Sequence, residues 1–339
     1  MLKRNVNIEL FRCVCMFGVV LLHSLTQGGY ADAHRGLDNL MTPSVVGFVF
    51  ISGYFGIKCR IKGVMKLLGV VLYSWLVLAL LNLDFASSFG IGGFWWFLWM
   101  YLALMAMAPL CEAIFVQNMT GRGVILKIAP FVGVVYVWSY AATKIPLLKA
   151  VVPSVDGFSP FGVLTFFAVY LVARVSRMYE DWFKTWWLVA AAAVSGAMCW
   201  IGFYHYNSPF ALVFAGSMFY LVKGRRVERV ERDEVAEGIL SRVERVGTCS
   251  GRAEISRLER VETCRGGVLA ISPSMFSVYL LHTNAYGFEM LRKVEDCLVA
   301  AGWNYYAMAF VVALGIFVVC VLLDLPRRAI GWMVARKCS

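Results

Sequence analysis

The stretch that decides the fold is Asn7–Ser24, NIELFRCVCMFGVVLLHS. It is apolar enough to enter a bilayer, yet it carries Glu9, Arg12 and His23. Ionisable side chains inside a spanning helix are costly, and they usually serve a function. Glu9 and Arg12 lie about one turn apart, and His23 follows Arg12 by three turns plus about 20°. The spacing therefore predicts one shared helix face, with Arg12 and His23 about 16 Å apart along the axis.

The composition of the whole chain predicts an integral membrane protein. Its 339 residues are 60% hydrophobic and only 16% charged, which is too little polar surface for a soluble globule of this size. Long apolar runs favour spanning helices over the alternating pattern of a barrel. The net charge of +11 is typical of basic cytoplasmic loops, so nucleic-acid binding is not expected.

Windows of about 20 apolar residues predict an all-α, polytopic transmembrane helix bundle of about ten spans. The spans are expected near 7–25, 41–57, 64–83, 95–116, 124–143, 159–173, 185–203, 208–222, 267–286 and 303–324. Lysine and arginine are concentrated in the even-numbered connections and at both ends of the chain, so both termini are expected to face the cytoplasm. His23 then lies toward the outer face, and Arg12 lies on the cytoplasmic side.

One segment interrupts this pattern. Residues 225–266 form a charged, repetitive loop between a membrane domain of spans 1 to 8 (1–224) and spans 9 and 10 with a basic tail (267–339). Three copies that each open with Arg-(Val/Leu)-Glu-Arg begin at Arg229, Arg242 and Arg257. The loop is interpreted either as a solvated cytoplasmic segment or as an arm that binds a partner or the membrane surface.

Several ordered blocks resemble the acyltransferase 3 family of ten-helix bacterial membrane acyltransferases. The first block is the Glu9, Arg12 and His23 pattern, and the second is FVFISGY from Phe48 to Tyr54. The others are WWFLWMY from Trp95, NSPFALV from Asn207 and FSVYLLH ending at His282. The resemblance implies transfer of an acyl group, usually acetyl, from cytoplasmic acyl-coenzyme A to a hydroxyl of a glycan or lipid-linked saccharide at the outer face.

Roles follow from this resemblance as hypotheses. His23 is expected to be the general base toward the acceptor hydroxyl, with a histidine hydrogen-bonded inside the bundle as the alternative. Arg12 is expected to bind donor phosphates or polarise the thioester carbonyl, with Glu9 orienting it through an i, i+3 ion pair. For Glu9, a purely structural salt bridge is an equal alternative. Relatives often carry an acid before the second block, but this chain has Val46 at that position. An acidic partner for His23 must therefore come from elsewhere, with Asp32 and Asp38 as candidates.

Further residues are assigned to substrate binding. Lys62 and Lys66 lie where relatives often have two arginines, and they are candidates for the coenzyme A phosphates. Ordinary basic residues of a cytoplasmic loop are an equal alternative for both. Ser52 and Tyr54 are expected either to allow close helix packing or to touch substrate. His282 either lines a cavity opposite His23 or is a hydrogen-bonded interior histidine. The tryptophans at 95, 96 and 99 are expected in an aromatic belt, with sugar stacking as the alternative.

The expected protein is thus a multi-pass enzyme of a bacterial plasma membrane that O-acetylates a polysaccharide of the cell envelope. Its expected partners are acyl-CoA, the acceptor glycan and the lipid bilayer, with a further partner possible at the 225–266 loop. No permanently bound cofactor and no metal site are expected. Two alternatives remain open: a glycan or lipid exporter without acyl chemistry, and an assembly subunit that works through its loop.

Overall fold

The computed structural model describes residues 5–27, 35–82, 95–111, 121–144, 162–203, 208–224 and 266–337, with positions 113, 205 and 206. These residues form helices and connections without a β-strand. Residues 225–265, nearly all of the repetitive loop, lie outside the described part, so the three-part division of the chain stays a prediction. The helices are α1 Val6–Gln27, α2 Arg35–Met41, α3 Pro43–Phe55, α4 Ile61–Asn82, α5 Trp96–Cys111, α6 Gly121–Lys144, α7 Val163–Ser176, α8 Thr185–Trp200, α9 Pro209–Lys223, α10 Gly266–His282, α11 Ala285–Ala300 and α12 Tyr305–Lys337.

Helix α1 is the central element of the bundle. Asn5 caps its N-terminus, because the Asn5 side-chain oxygen accepts a hydrogen bond from the Asn7 backbone N–H at 3.1 Å. This bond satisfies an N–H of the first turn that has no carbonyl partner within the helix. Its apolar side chains then pack against α2, α3, α9, α10, α11 and α12. The helix that carries the three ionisable residues is therefore surrounded by protein over much of its length, which is where charged side chains are tolerated in a bilayer.

Glycines allow helix α3 to approach its neighbours closely. A Cβ at Gly47 would lie 2.7 Å from Cys15 Sγ on α1, and one at Gly53 would lie 2.5 Å from the Tyr170 carbonyl oxygen on α7. Small residues at such crossings permit backbone contact between helices in lipid. The packing interpretation of the Ser-Gly-Tyr block is thus supported at Gly53.

Each of the ten predicted stretches coincides with a helix, but the number of membrane crossings stays a prediction. In the described part of the chain, three helices are long and apolar enough to span a bilayer: Val6–Gln27, Ile61–Leu81 and Tyr305–Met333. Five shorter helices are apolar. Two of these twelve helices lie almost wholly outside the predicted spans, namely the short α2 and the amphipathic α11, which connects α10 to α12. A short 3-10 helix, Arg177–Trp182, follows α7 and also lies outside the spans.

Helix α12 extends further than the sequence predicts. Its 33 residues make a helix about 50 Å long, whereas the hydrocarbon core is about 30 Å thick. The helix continues through Pro326, and a bidentate ion pair spans this position: Arg327 Nε and Nη2 donate to the two carboxylate oxygens of Asp324 at 2.6 and 2.7 Å. The helix therefore continues past residue 324, and Arg327 and Arg328 lie within it.

Candidate active site

One face of α1 lines a cavity of about 660 Å³. Arg12, Met16, Val19 and His23 all border it, and they recur at the three- and four-residue steps of a single helix face. The prediction that Arg12 and His23 share a face is confirmed. The volume lies within the range of about 300 to 1,000 Å³ that is usual for small-molecule sites.

The Arg12 end of the cavity is strongly basic. Lys66 of α4 and both Arg327 and Arg328 of α12 line it together with Arg12. The predicted ion pair is present, since Arg12 Nη1 lies 2.6 Å from Glu9 Oε2.

The charges at this end do not cancel. Arg12 and Arg327 are each matched by a carboxylate, whereas Lys66 and Arg328 have no ion-pair partner among the described residues. Four basic side chains against two carboxylates leave two positive charges at this end, which we call the cationic end.

The His23 end is bordered by aromatic side chains. His23 Nδ1 lies 2.9 Å from Nε2 of His282 on α10, and the Phe288 ring of α11 packs edge-on against the His23 ring, with centroids 5.7 Å apart. Trp96 of α5 and Tyr206 line the cavity together with His23, and the centroids of their two tilted rings lie 5.8 Å apart. This arrangement offers flat apolar faces beside an imidazole.

The structure brings only part of the predicted site together. Lys66 and Ser52 line the cavity with Arg12 and His23. Lys62, one turn earlier on α4, is exposed and is not among the lining residues in the described chain. Glu9 stands behind Arg12 as its ion-pair partner. His282 is 5% exposed and lies behind His23, not opposite it across the cavity.

Tyr54 belongs to a different polar cluster. Its hydroxyl donates to Glu180 Oε2 at 2.5 Å, and Lys223 Nζ lies 2.6 Å from the same oxygen. The Arg177 guanidinium lies over the Tyr54 ring, 5.3 Å from its centroid. Burial by itself raises the pKa of Glu180, but the hydrogen bonds from Lys223 and Tyr54 outweigh it, and the pKa is lowered. The cluster joins α3, α9 and the turn after α7.

A second buried acid packs against α1 beside the histidine. Glu295 of α11 is 1% exposed, and its Oε1 accepts a hydrogen bond from Ser24 Oγ at 2.9 Å. Its other oxygen has no hydrogen-bond partner among the described residues. Burial raises the pKa of Glu295 to about 7, although the bond from Ser24 acts in the opposite direction. The contact holds α11 against the end of α1 that carries His23.

The belt prediction for the three tryptophans needs one correction. Trp95 is 1% exposed, and its indole N–H donates to the Leu280 carbonyl at 3.2 Å. It is a core residue, because its ring nitrogen has a partner inside the bundle. Trp96 lines the cavity, while Trp99 is 52% exposed and remains compatible with an interfacial position.

Sequence reasoning missed Arg327 and Arg328 as residues of the site. It counted them only among the basic residues that set the topology, because they follow the last apolar run. The signal that could have identified them is Asp324 three residues earlier, an acid at the end of an apolar run whose i, i+3 spacing suits an ion pair.

The fold and this cavity define a class: a helical membrane protein whose interior cavity is basic at one end and carries an imidazole at the other. Residues 5–232 match the family model described as an acyltransferase domain. The match covers about two thirds of the chain, so the protein belongs to the acyltransferase 3 family, and membership implies acyltransferase activity. Neither a curated protein nor a solved structure gave a match. The match ends before α10 and α12, which contribute His282 and the two arginines.

Proposed function

We propose that the protein is a membrane O-acyltransferase that moves an acyl group, in the first instance acetyl, from acyl-coenzyme A to a hydroxyl of a cell-surface or exported glycan. We place it in a bacterial plasma membrane, with the donor arriving from the cytoplasm and the acceptor from the outer face. The observation that carries the proposal is that one cavity has the cationic end at one side and His23 at the other.

The cationic end suits the phosphates of the donor. Coenzyme A carries several phosphate groups, and lysine and arginine bind such groups through charge-assisted hydrogen bonds. Lys66 and Arg328 have no carboxylate partner among the described residues, so their charges are available to a ligand, while Arg12 and Arg327 are held in place by Glu9 and Asp324.

The distance along α1 favours one of the two roles for Arg12. Its backbone lies about 16 Å from that of His23 along the helix, whereas reacting atoms must approach within about 3.5 Å. A thioester carbonyl attacked beside His23 is too far away for Arg12 to polarise. Arg12 therefore binds the phosphates or the start of the pantetheine arm, and the arm extends along Met16 and Val19 toward the histidine.

His23 acts as the general base. It takes the proton of the acceptor hydroxyl as the hydroxyl oxygen attacks the thioester carbon. The new ester C–O bond forms, the thioester C–S bond breaks, and the same proton passes from His23 to the leaving thiolate. Trp96 and Tyr206 border this end and offer ring faces against which a sugar can stack.

The test uses membrane vesicles loaded with the acceptor glycan and supplied with acetyl-labelled acetyl-CoA. Wild-type protein should transfer label to the glycan, and His23→Ala should abolish transfer while inserting normally. Lys62→Gln serves as the control. An exporter without acyl chemistry would move glycan across the membrane without labelling it, so unlabelled glycan with wild-type protein would overturn the proposal.

A further inference from the structure

A hydrogen-bond relay that starts at a backbone carbonyl ends at the proposed base. The Nδ1 of His282 lies 2.6 Å from the Val278 carbonyl oxygen, one turn earlier on α10. The Nε2 of His282 lies 2.9 Å from Nδ1 of His23 on α1. Two imidazoles are thus connected in series to a carbonyl oxygen, which can accept a hydrogen bond but cannot donate one.

This geometry determines where the protons are. A carbonyl oxygen only accepts, so Nδ1 of His282 carries a hydrogen. A neutral imidazole has a single N–H, which leaves Nε2 of His282 as an acceptor. Nδ1 of His23 must then be the donor, so its hydrogen is committed to His282. The remaining nitrogen of His23, Nε2, holds the free lone pair.

The surroundings favour this neutral arrangement. His282 is 5% exposed, and a charged imidazolium in such a place would be costly. Ring contacts also hold the pair, since Tyr279 packs edge-on against His282 and Phe288 against His23. His23 borders the cavity, whereas His282 is not among its lining residues in the described chain. The first ring therefore faces the cavity, and the second lies behind it.

No carboxylate contacts His23 among the described residues, so the usual acidic partner of a catalytic histidine is missing from this part of the chain. Val46, which occupies the position where the resemblance places an acid, is fully buried. We infer that His282 is the positioning residue for His23: it fixes the Nδ1–H tautomer and keeps Nε2 unprotonated toward the acceptor hydroxyl. The inference rests on the proposed function for its catalytic meaning, but not for the tautomer itself.

The tautomer can be measured without any activity. The chain has four histidines, so His34→Gln and His205→Gln leave only the pair. Solid-state NMR of this variant in bilayers, with ¹⁵N-labelled histidine, should show protonated Nδ1 and unprotonated Nε2 in both rings. Removing the acceptor by His282→Leu should return His23 to a mixture of tautomers. A protonated Nε2 on His23 in the parent would overturn the inference.

Two variants of His282 separate positioning from a merely structural role. In His282→Gln, the longer amide places an oxygen near the site of Nε2, so it can still accept from His23. In His282→Asn, the shorter amide reaches only the Nδ1 site, so it keeps the bond to Val278 and leaves His23 without an acceptor.

Turnover of the two variants should differ in kcat and not in KM. His282→Gln should stay within about tenfold of wild type, whereas His282→Asn should lose about a hundredfold or more, the range for a general base that is no longer poised. Equal activity of the two variants, or better activity of His282→Asn, would refute positioning. Absence of transfer by the wild type would refute the proposed function and leave the NMR result to decide the tautomer.

Discussion

Two lysines on the same helix provide the sharpest test of the donor site. Lys62 and Lys66 lie one turn apart on α4, they carry the same charge, and both are exposed. Only Lys66 lines the cavity. The variants Lys66→Gln and Lys62→Gln therefore change the net charge of the protein equally and differ only in what they remove from the cavity.

The expected magnitude follows from the charges at the cationic end. That end has two positive charges in excess, so Lys66→Gln halves the excess. A hydrogen bond to a charged group contributes about 1.5 kcal/mol at the lower end of its range, and the lower end applies because Lys66 is exposed. This value corresponds to about a tenfold rise in the KM for acetyl-CoA. The kcat should change little, because the lost contact lies far from His23.

The assay measures initial rates of label transfer at varied acetyl-CoA concentrations, for each variant, at low and at physiological salt. Lys66→Gln should also weaken the dependence of KM on ionic strength, because one phosphate contact has been removed. Lys62→Gln should match wild type at both salt concentrations. Equal effects of the two variants would show that general surface charge, and not the cavity, attracts the donor, and the reasoning would be refuted.

Three further predictions concern other parts of the bundle. Glu295→Gln should remove a pH dependence of stability. Folding raises the pKa of Glu295 from its ordinary value of 4.5 to about 7, so the wild type loses at most about 3 kcal/mol of its free energy of unfolding as the pH rises between these values. Thermal unfolding at both ends of this pH window checks it, and the exposed Glu289→Gln on the same helix should leave the dependence unchanged. Gly53→Ala should destabilise the protein by about 1 to 3 kcal/mol, because the new Cβ would lie against a carbonyl oxygen of α7. Gly69→Ala should not, because a Cβ there would have open space around it. Equal apparent Tm values for the two variants would contradict the packing argument. Trp96→Ala should raise the KM for the acceptor about two- to tenfold with the donor KM unchanged, and an effect on the donor alone would place the acceptor elsewhere.

Much of the cavity-lining face of α1 could be predicted from the sequence of that helix alone. Helical periodicity is fixed by backbone geometry, so the spacing of Arg12 and His23 was sufficient to predict one shared face, and the spacing of Glu9 and Arg12 to predict one ion pair. Glu9 lies behind Arg12 and is not among the cavity-lining residues in the described chain. The relation between His23 and His282 could not be predicted in the same way. The two residues are separated by 259 positions, and their contact depends on how α10 packs against α1.

The sequence by itself determined that the chain is helical and apolar enough for a membrane, because composition and apolar run length act locally along the chain. It also determined which residues of α1 share a face. Only the tertiary structure decided that Lys66 lines the cavity and Lys62 does not, and that the arginines of α12 join Arg12. The physical reason is that helix rotation and packing, which no local pattern encodes, bring side chains from distant segments to the same cavity.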